Sequence, residues 1–416
     1  KEANNFDIDL NDEIKLEGSK KLKIVNEELN EIYKIPLKYL YYNDQNDRIA
    51  TFVSEYESDN NIKIKDLDVE SRNRVIEDFI SKSDNDKFEK TKSDIFAKGQ
   101  QETAFVLKDG RVIDGNRRFT CLRQLSRDGD AEYNYLEAYI LDLNIENNYK
   151  EIKRLELEIQ HGKDEKVKYD PIDFLVGIYR DVEEKKVLNI DEYSEFSGFN
   201  KKDLKNKLDE AKLMMEFLDY IDRPRRYHIA KELKMDGPLV EALNILKKIK
   251  DPVQKEKMKQ QIFILIYSKD GNEDVGKKFI RPLNTIVNNP EAIKEYLEKT
   301  DSHRETTLEK IQEINDEVES YEVSKSYDES KKKFDEVSGT QKEEYSKVVE
   351  NILIKIDAEK QQNTALVFLK KASGDIINIK EDHFILTTKD QEEEVLDKIK
   401  EIIYDLKNIE KMILKD

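Results

Sequence analysis

The stretch from Ala104 to Leu125, AFVLKDGRVIDGNRRFTCLRQL, constrains the architecture of this chain more than any other. Two short apolar runs, Ala104 to Leu107 and Val112 to Ile113, flank Asp109-Gly110, the dipeptide that most strongly signals a tight hairpin. A second turn, Asp114-Gly115-Asn116, leads into Arg117-Arg118-Phe119 and a helical stretch from Thr120 to Leu125. The order is therefore strand, turn, strand, Gly-containing turn, helix. Backbone N–H groups at such a helix start, beside two guanidinium groups, suit oxyanions and phosphate above all. The competing reading of the same residues is a solvated helix start with no ligand.

The surrounding motifs favour the phosphate reading. Ile35-Pro36-Leu37-Lys38-Tyr39-Leu40 and the segment Asn43-Asp44-Gln45-Asn46-Asp47-Arg48 resemble the opening strand and asparagine-rich segment of the ParB/sulfiredoxin superfamily. Gly99-Gln100-Gln101 lies where that superfamily has Gly and Gln before the hairpin. Gly115-Asn116-Arg117-Arg118 is similar to its Gly-x-Arg-Arg phosphate motif. Leu157-Glu158-Ile159-Gln160-His161 resembles its Glu-Asn-x-Gln-Arg motif, and Tyr169-Asp170-Pro171-Ile172 the opening of its next helix. The resemblance runs from about Ile35 to about Leu218. It implies a nucleoside triphosphate, ATP or CTP, bound with Mg2+ by Arg48, Gly99, Gln100, Gly115, Asn116, Arg117, Arg118 and His161. It further implies Glu158 as metal ligand and, with Gln160, as catalytic group.

The departures fall on residues that would do chemistry. Glu158 stands where the motif has Asn, and a carboxylate oxygen suits a hard cation. His161 replaces Arg and is at most partly charged near neutral pH. Asn116 occupies the place of the sulfiredoxin cysteine, which argues against sulfinic acid repair. DGNRR also resembles the DGQQR and DGQHR boxes of domains in phage-restriction and DNA-modification systems.

Asp191 to Leu204 has the pattern of a helix-turn-helix: a short helix ending at Gly198, then Asn200 capping a second helix through about Leu213. Its exposed side would carry Lys201, Lys202, Lys205 and Lys207, which in ParB relatives is a DNA-binding segment. An ordinary helical pair supporting the nucleotide domain explains the same pattern. The balance of 73 basic against 91 acidic side chains, a formal charge of −18, repels DNA over the whole chain. Any DNA contact must come from a local patch such as Lys201 to Lys207 or Arg223-Pro224-Arg225-Arg226.

At 416 residues the chain exceeds a single core. We expect an α+β protein: an arm over 1–32, a small ParB/sulfiredoxin-like mixed-sheet nucleotide-binding domain over 33–150, and a largely α-helical remainder. That remainder divides at 151–225, the helix-turn-helix-like part, then 226–300 and 301–416. Leu136 to Leu143 reads as a strand and Asp66 to Ile80 as a helix. Asp170-Pro171 and Asn289-Pro290 supply N-caps with first-turn prolines. In the last region Val395, Ile399, Ile402, Leu406, Ile409 and Ile413 alternate spacings of four and three, a coiled-coil stripe. Leu308, Ile311, Ile314, Val318 and Tyr321 form a shorter one. Each stripe fits either a bundle within one chain or a homodimer. Between them, Leu366 to Leu369, Ile376 to Ile379 and Phe384 to Thr387 suggest a small strand set turning at Ser373-Gly374-Asp375.

One cysteine, Cys121, excludes an intramolecular disulfide and is expected in the core. No apolar run approaches the roughly 20 residues needed to span a bilayer, and no secretory leader is visible, so a cytoplasmic protein away from membranes is expected. The four histidines have no metal-ligand spacing, and no Walker loop or Gly-x-Ser-x-Gly elbow is present. The function expected is a ParB-like slow NTPase or NTP-dependent switch in bacterial, plasmid or phage DNA handling or defence, with a partition or defence protein as partner. The alternatives are a DNA- or protein-binding adaptor that keeps the fold without nucleotide, and a ParB-like nuclease.

Overall fold

The computed structural model describes residues 22–24, 27–29, 31–127, 129, 131–162, 170–318, 326–384 and 388–414. Within the span expected to be an arm, β1 (Leu22–Ile24) and β2 (Glu27–Leu29) pair antiparallel as a separate small ladder. The α+β expectation is met. A curled five-stranded mixed sheet lies near the N-terminus, and the rest of the chain is mostly helical.

The sheet strands are β3 (Tyr33–Pro36), β4 (Tyr41–Tyr42), β5 (Ala104–Leu107), β6 (Arg111–Asp114) and β7 (Tyr135–Leu141), in spatial order β3-β7-β5-β6-β4. β5 and β6 form the antiparallel hairpin that Asp109-Gly110 demands, while β5 with β7 and β6 with β4 run parallel. Every residue of β5 is buried, because both faces of the sheet are covered. One face places Ala104 and Val106 with Ile35, Tyr42, Val112 and Phe119. The other places Phe105, Leu107 and Ile113 with Tyr139, Leu141, Ile152 and Leu155. A strand covered on both faces loses polar alternation, which is why AFVL reads as a plain apolar run.

Helices α1 (Ala50–Asn60), α2 (Val69–Ser83) and α3 (Asn85–Lys98) separate β4 from β5. Asp68 caps α2, its carboxylate accepting from the N–H groups of Glu70 and Ser71. Helix α4 (Asn116–Arg127) follows β6, and α5 (Tyr149–Gly162) follows β7. The chain then continues through α6 (Pro171–Tyr179), a π-turn at Arg180–Glu184, α7 (Ile190–Ser197) and α8 (Lys201–Tyr220). Asp170 caps α6 with Pro171 in its first turn, as the sequence predicts. Next come α9 (Tyr227–Glu232), α10 (Asp236–Leu246), α11 (Pro252–Tyr267), α12 (Leu283–Ile286) and α13 (Pro290–Val318). Asn289 accepts from the N–H groups of Glu291 and Ala292 at the start of α13. The last helices are α14 (Ser326–Ile377) and α15 (Lys389–Ile413).

The chain divides into two compact units, 1–349 and 350–416. In the first, Phe334 is buried and its ring centroid lies 4.5 Å from that of Tyr267. In the second, the expected strand set is absent: Leu366 to Leu369, Ser373-Gly374-Asp375 and Ile376-Ile377 all lie in α14. Phe384 ends a 3-10 turn, and 385–387 fall outside the described residues. Straight-chain and alanine residues between Ala358 and Ala372 hold the helix through positions that the β-branched residues suggested were strand. Among the described residues, no helix is long and apolar enough to cross a membrane.

Candidate functional site

Because β4 and β6 run parallel, their C-terminal ends meet at one edge of the sheet, with Tyr42 opposite Val112. The segment Asn43–Arg48 and the start of α4 emerge there side by side. They are tied by the hydroxyls of Tyr42 and Thr120, 2.8 Å apart, and by the Tyr42 and Phe119 rings, 4.7 Å between centroids. The crevice beyond the carboxyl ends of parallel strands is where open α/β sheets take ligands.

Gly115 makes the turn into α4 at φ +97°, and a Cβ there would sit 2.7 Å from the Cβ of Ala104. The first backbone bond of the helix runs from Phe119 N–H to Gly115 C=O. The N–H groups of Asn116, Arg117 and Arg118 therefore precede the helical ladder. Asn116 is 9% exposed, and its buried Oδ1 has no hydrogen-bond partner. Arg117 has no hydrogen-bond or ion-pair partner among the described residues. Burial holds its guanidinium below the ordinary range, and the positive charge of Arg48 lowers it further, against a smaller opposing effect of Asp84. Two guanidinium groups thus lie in each other's field at a helix N-terminus.

The neighbouring Arg118 has a different job. Its Nη1 donates to the carbonyls of Glu102 at 2.6 Å and Thr103 at 3.2 Å, and its Nη2 to the Asp114 carboxylate at 2.8 Å. It staples the turn to the segment before β5. Gln100 does the same between α3 and β7: its amide donates to Glu102 and Glu137 carbonyls, and its oxygen accepts the Glu137 N–H at 2.9 Å. Gly99 is the C-cap of α3, at a positive φ of +71°. Cys121 is fully buried, and burial pushes its thiol up to about 12, so it is core and no nucleophile.

Behind the Asn43–Arg48 segment lies a charged cluster that the motif comparison misses. Lys153 of α5, 4% exposed, pairs with Asp47, with Asp181 at 3.0 Å and with Glu156 at 3.6 Å. Asp47 also accepts from Arg180 at 3.2 Å, and Asn43 donates to Glu156 at 3.0 Å. Asp47 reaches this position because α6 presents Gly177 to it: a Cβ there would lie 2.8 Å from the Asp47 carboxyl carbon. Burial opposes the ionised form of every carboxyl here. The Lys153 and Arg180 charges outweigh it at Asp47, whose pKa falls. Glu156 is pushed up to about 7 by burial, with the Asp47 and Asp181 charges adding to the effect against Lys153. Asp181 is displaced in the same direction. The π-turn at Arg180–Glu184 brings Arg180 and Asp181 together, and such turns recur at functional sites.

Glu158 stands on another face of α5, paired with Arg154 at 2.7 Å. The side chains of Gln160 and His161 lie outside the described residues. Among the described residues no group of three or more His, Cys, Asp or Glu is placed to hold a metal, and the buried Asp47 and Asp181 carboxylates surround the Lys153 ammonium. In the helix pair, α7 ends at Ser197 and Asn200 caps α8, matching the expected turn. Helix α8 runs on to Tyr220 and buries Leu204, Leu208, Ala211 and Met214 in the helical layer. Lys201 pairs with Asp191, whereas Lys202 and Lys205 are exposed with no ion-pair partner among the described residues. In the other patch, Arg225 pairs with Glu184 and Arg223 reaches Ser330.

Asn43, Asp47, Lys153, Glu156, Arg180 and Asp181 carry no sequence signal beyond the Asn43–Arg48 segment itself. A lysine on the core-facing side of a helix reads as an error in the apolar pattern until its partners are seen. No protein-family model matches this chain, and comparison with curated proteins finds no match.

Proposed function

We propose that this chain is a ParB-like nucleoside-triphosphate-binding protein, a switch or slow NTPase, whose phosphate site is the start of α4. The observation that carries the proposal is Arg117: half-buried, with no hydrogen-bond or ion-pair partner among the described residues, in the field of Arg48 and beside three leading N–H groups. A phosphate there relieves the like-charge repulsion and supplies the acceptor that the helix start lacks. Gly115 keeps the backbone close, and Arg118 keeps the turn rigid. The Asp47–Lys153 contact supports the chain immediately before Arg48, while Gly115 and Arg118 hold the turn that carries Arg117.

Titration of the chain with ATP, CTP, GTP and UTP, each with magnesium at low salt, tests the proposal. One nucleotide should bind, and Arg117→Ala should abolish binding while leaving the thermal midpoint within a degree or two. Absence of binding to all four, or binding unchanged in Arg117→Ala, overturns it. A second reading, an adaptor that retains the fold without nucleotide, draws on Arg118, whose donors are committed to Glu102, Thr103 and Asp114. In that case Lys202 and Lys205 of α8 are the groups positioned for a DNA or acidic protein contact.

A further inference from the structure

We propose that α15 assembles this chain into a homo-oligomer of three or four copies, independently of the phosphate site. Beyond Ile356, no described residue up to Leu414 is buried. Within that span α15 presents Ile399, Ile402, Leu406, Ile409 and Ile413 at exposures from 37% for Ile402 to 68% for Ile413. Val395, half-buried, completes the stripe. A 25-residue helix with a bare apolar stripe is marginal alone in water, because packing of that stripe supplies most of a helix's stability.

The pattern of the stripe identifies what covers it. The spacings of four and three persist through Val395, Ile399, Ile402, Leu406, Ile409 and Ile413, so the apolar seam follows a heptad repeat along the helix. That is the repeat by which like helices interdigitate knobs into holes. Ile399, Leu406 and Ile413 take heptad position a, and Val395, Ile402 and Ile409 take position d. Every d residue is β-branched, whereas two-stranded parallel pairing prefers Leu at d; Ile at both positions, or Leu at a with Ile at d, shifts assembly to three or four strands. Leu396 and Ile403, both exposed, fall at position e and widen the stripe. A two-stranded seam leaves them wet, and a three- or four-stranded one covers them. On the opposite face Lys400, Glu401, Lys407 and Asn408, of mixed charge, flank the exposed Tyr404. The arrangement carries one cost, since Asp405 at g faces Glu410 at e of the next parallel copy.

The test is sedimentation equilibrium of the full chain at micromolar concentration, alone and as Ile402→Asp/Ile409→Asp. Both positions are exposed in the single chain, so the double variant leaves the buried core of 1–349 untouched; its thermal unfolding is the check. The expected result is a mass three or four times the 49.1 kDa of one chain, falling to one chain in the double variant and unchanged in Lys407→Ala on the polar face. A wild-type mass of one or two chains overturns the proposal, as does an assembly that survives the double variant.

Discussion

Residues 1–349 and 350–416 handle awkward side chains in opposite ways. In the first unit charges go inside, and each buried one is met by partners: Lys153 by Asp47, Asp181 and Glu156, and Glu77 by Arg123 and Arg127 at 2.9 and 2.6 Å. In the second, apolar side chains stand outside, from Leu366, Val367 and Phe368 of α14 to Ile413 of α15. Exposed large apolar groups in the first unit, such as Ile62, Phe96 and Val253, are scattered along the chain. Singly exposed apolar groups need no explanation, but a contiguous run marks a contact surface. The difference separates two kinds of incompleteness. In the first unit Arg117, at the start of α4, has no hydrogen-bond or ion-pair partner among the described residues; in the second, a run of large apolar side chains is exposed.

The largest effect expected is at Lys153. Lys153→Met leaves the buried Asp47 and Asp181 and the partly buried Glu156 without their ammonium, and breaking a buried pair this way costs about 3–5 kcal/mol. The denaturant midpoint should fall accordingly, and Asp47→Asn in the same chain should recover part of the loss. If Lys153→Met unfolds like the wild type, the cluster is not holding the Asn43–Arg48 segment.

Arg118 and Arg117 give the next largest contrast. Arg118→Ala strips the acceptors at Glu102, Thr103 and Asp114 of a charged donor and should cost roughly 3 kcal/mol. Arg117→Ala should cost under about 0.5 kcal/mol, since it breaks no described contact. Thermal denaturation of the two variants side by side decides it, and equal losses would refute the division of labour between them.

Glu156 provides a pH test. Its folded pKa, about 7, lies above the 4.5 of an ordinary Glu, so folding favours the protonated form. The stability it contributes is full below pH 4.5 and is lost as pH rises toward 7. That loss amounts to about 3 kcal/mol at most, and less given its 14% side-chain exposure. Glu156→Gln should flatten the fall in unfolding free energy between pH 4.5 and 7, measured by urea denaturation. An unchanged slope would exclude Glu156 as the group responsible.

The hairpin, the start of α4 and the capped helices were legible because local chemistry sets them. Asp109-Gly110 permits one tight turn, and Asp170, Asn200 and Asn289 cap whatever helix follows them. The Gly115–Arg118 corner was legible as a unit, but not which arginine stays without a partner. That depends on Glu102 and Thr103 lying across the turn, a contact between segments that no spacing encodes. The Lys153 cluster was illegible for the same reason, assembled as it is from α5, the Asn43–Arg48 segment and the π-turn. Between Leu366 and Phe384, β-branched and aromatic residues pointed to strands, yet helix prevailed because no sheet neighbour is there to pair with them.

The smallest effect expected is also the sharpest check on the contrast between the units. Phe368 of α14 is 67% exposed, so Phe368→Ser removes no buried contact in the single chain. The unfolding free energy of residues 1–349 should change by under about 0.5 kcal/mol, as for surface substitutions generally. A buried Phe of the first unit, such as Phe119, should cost about 3–5 kcal/mol when cut to Ala. Should Phe368→Ser instead destabilise the chain by more than about 1 kcal/mol, and do so increasingly at higher protein concentration, its ring is buried in the assembly and α14 belongs with α15 in the interface. A concentration-independent loss of that size would mean that the second unit folds upon itself, and that the contrast between a satisfied first unit and an unpartnered second one is wrong.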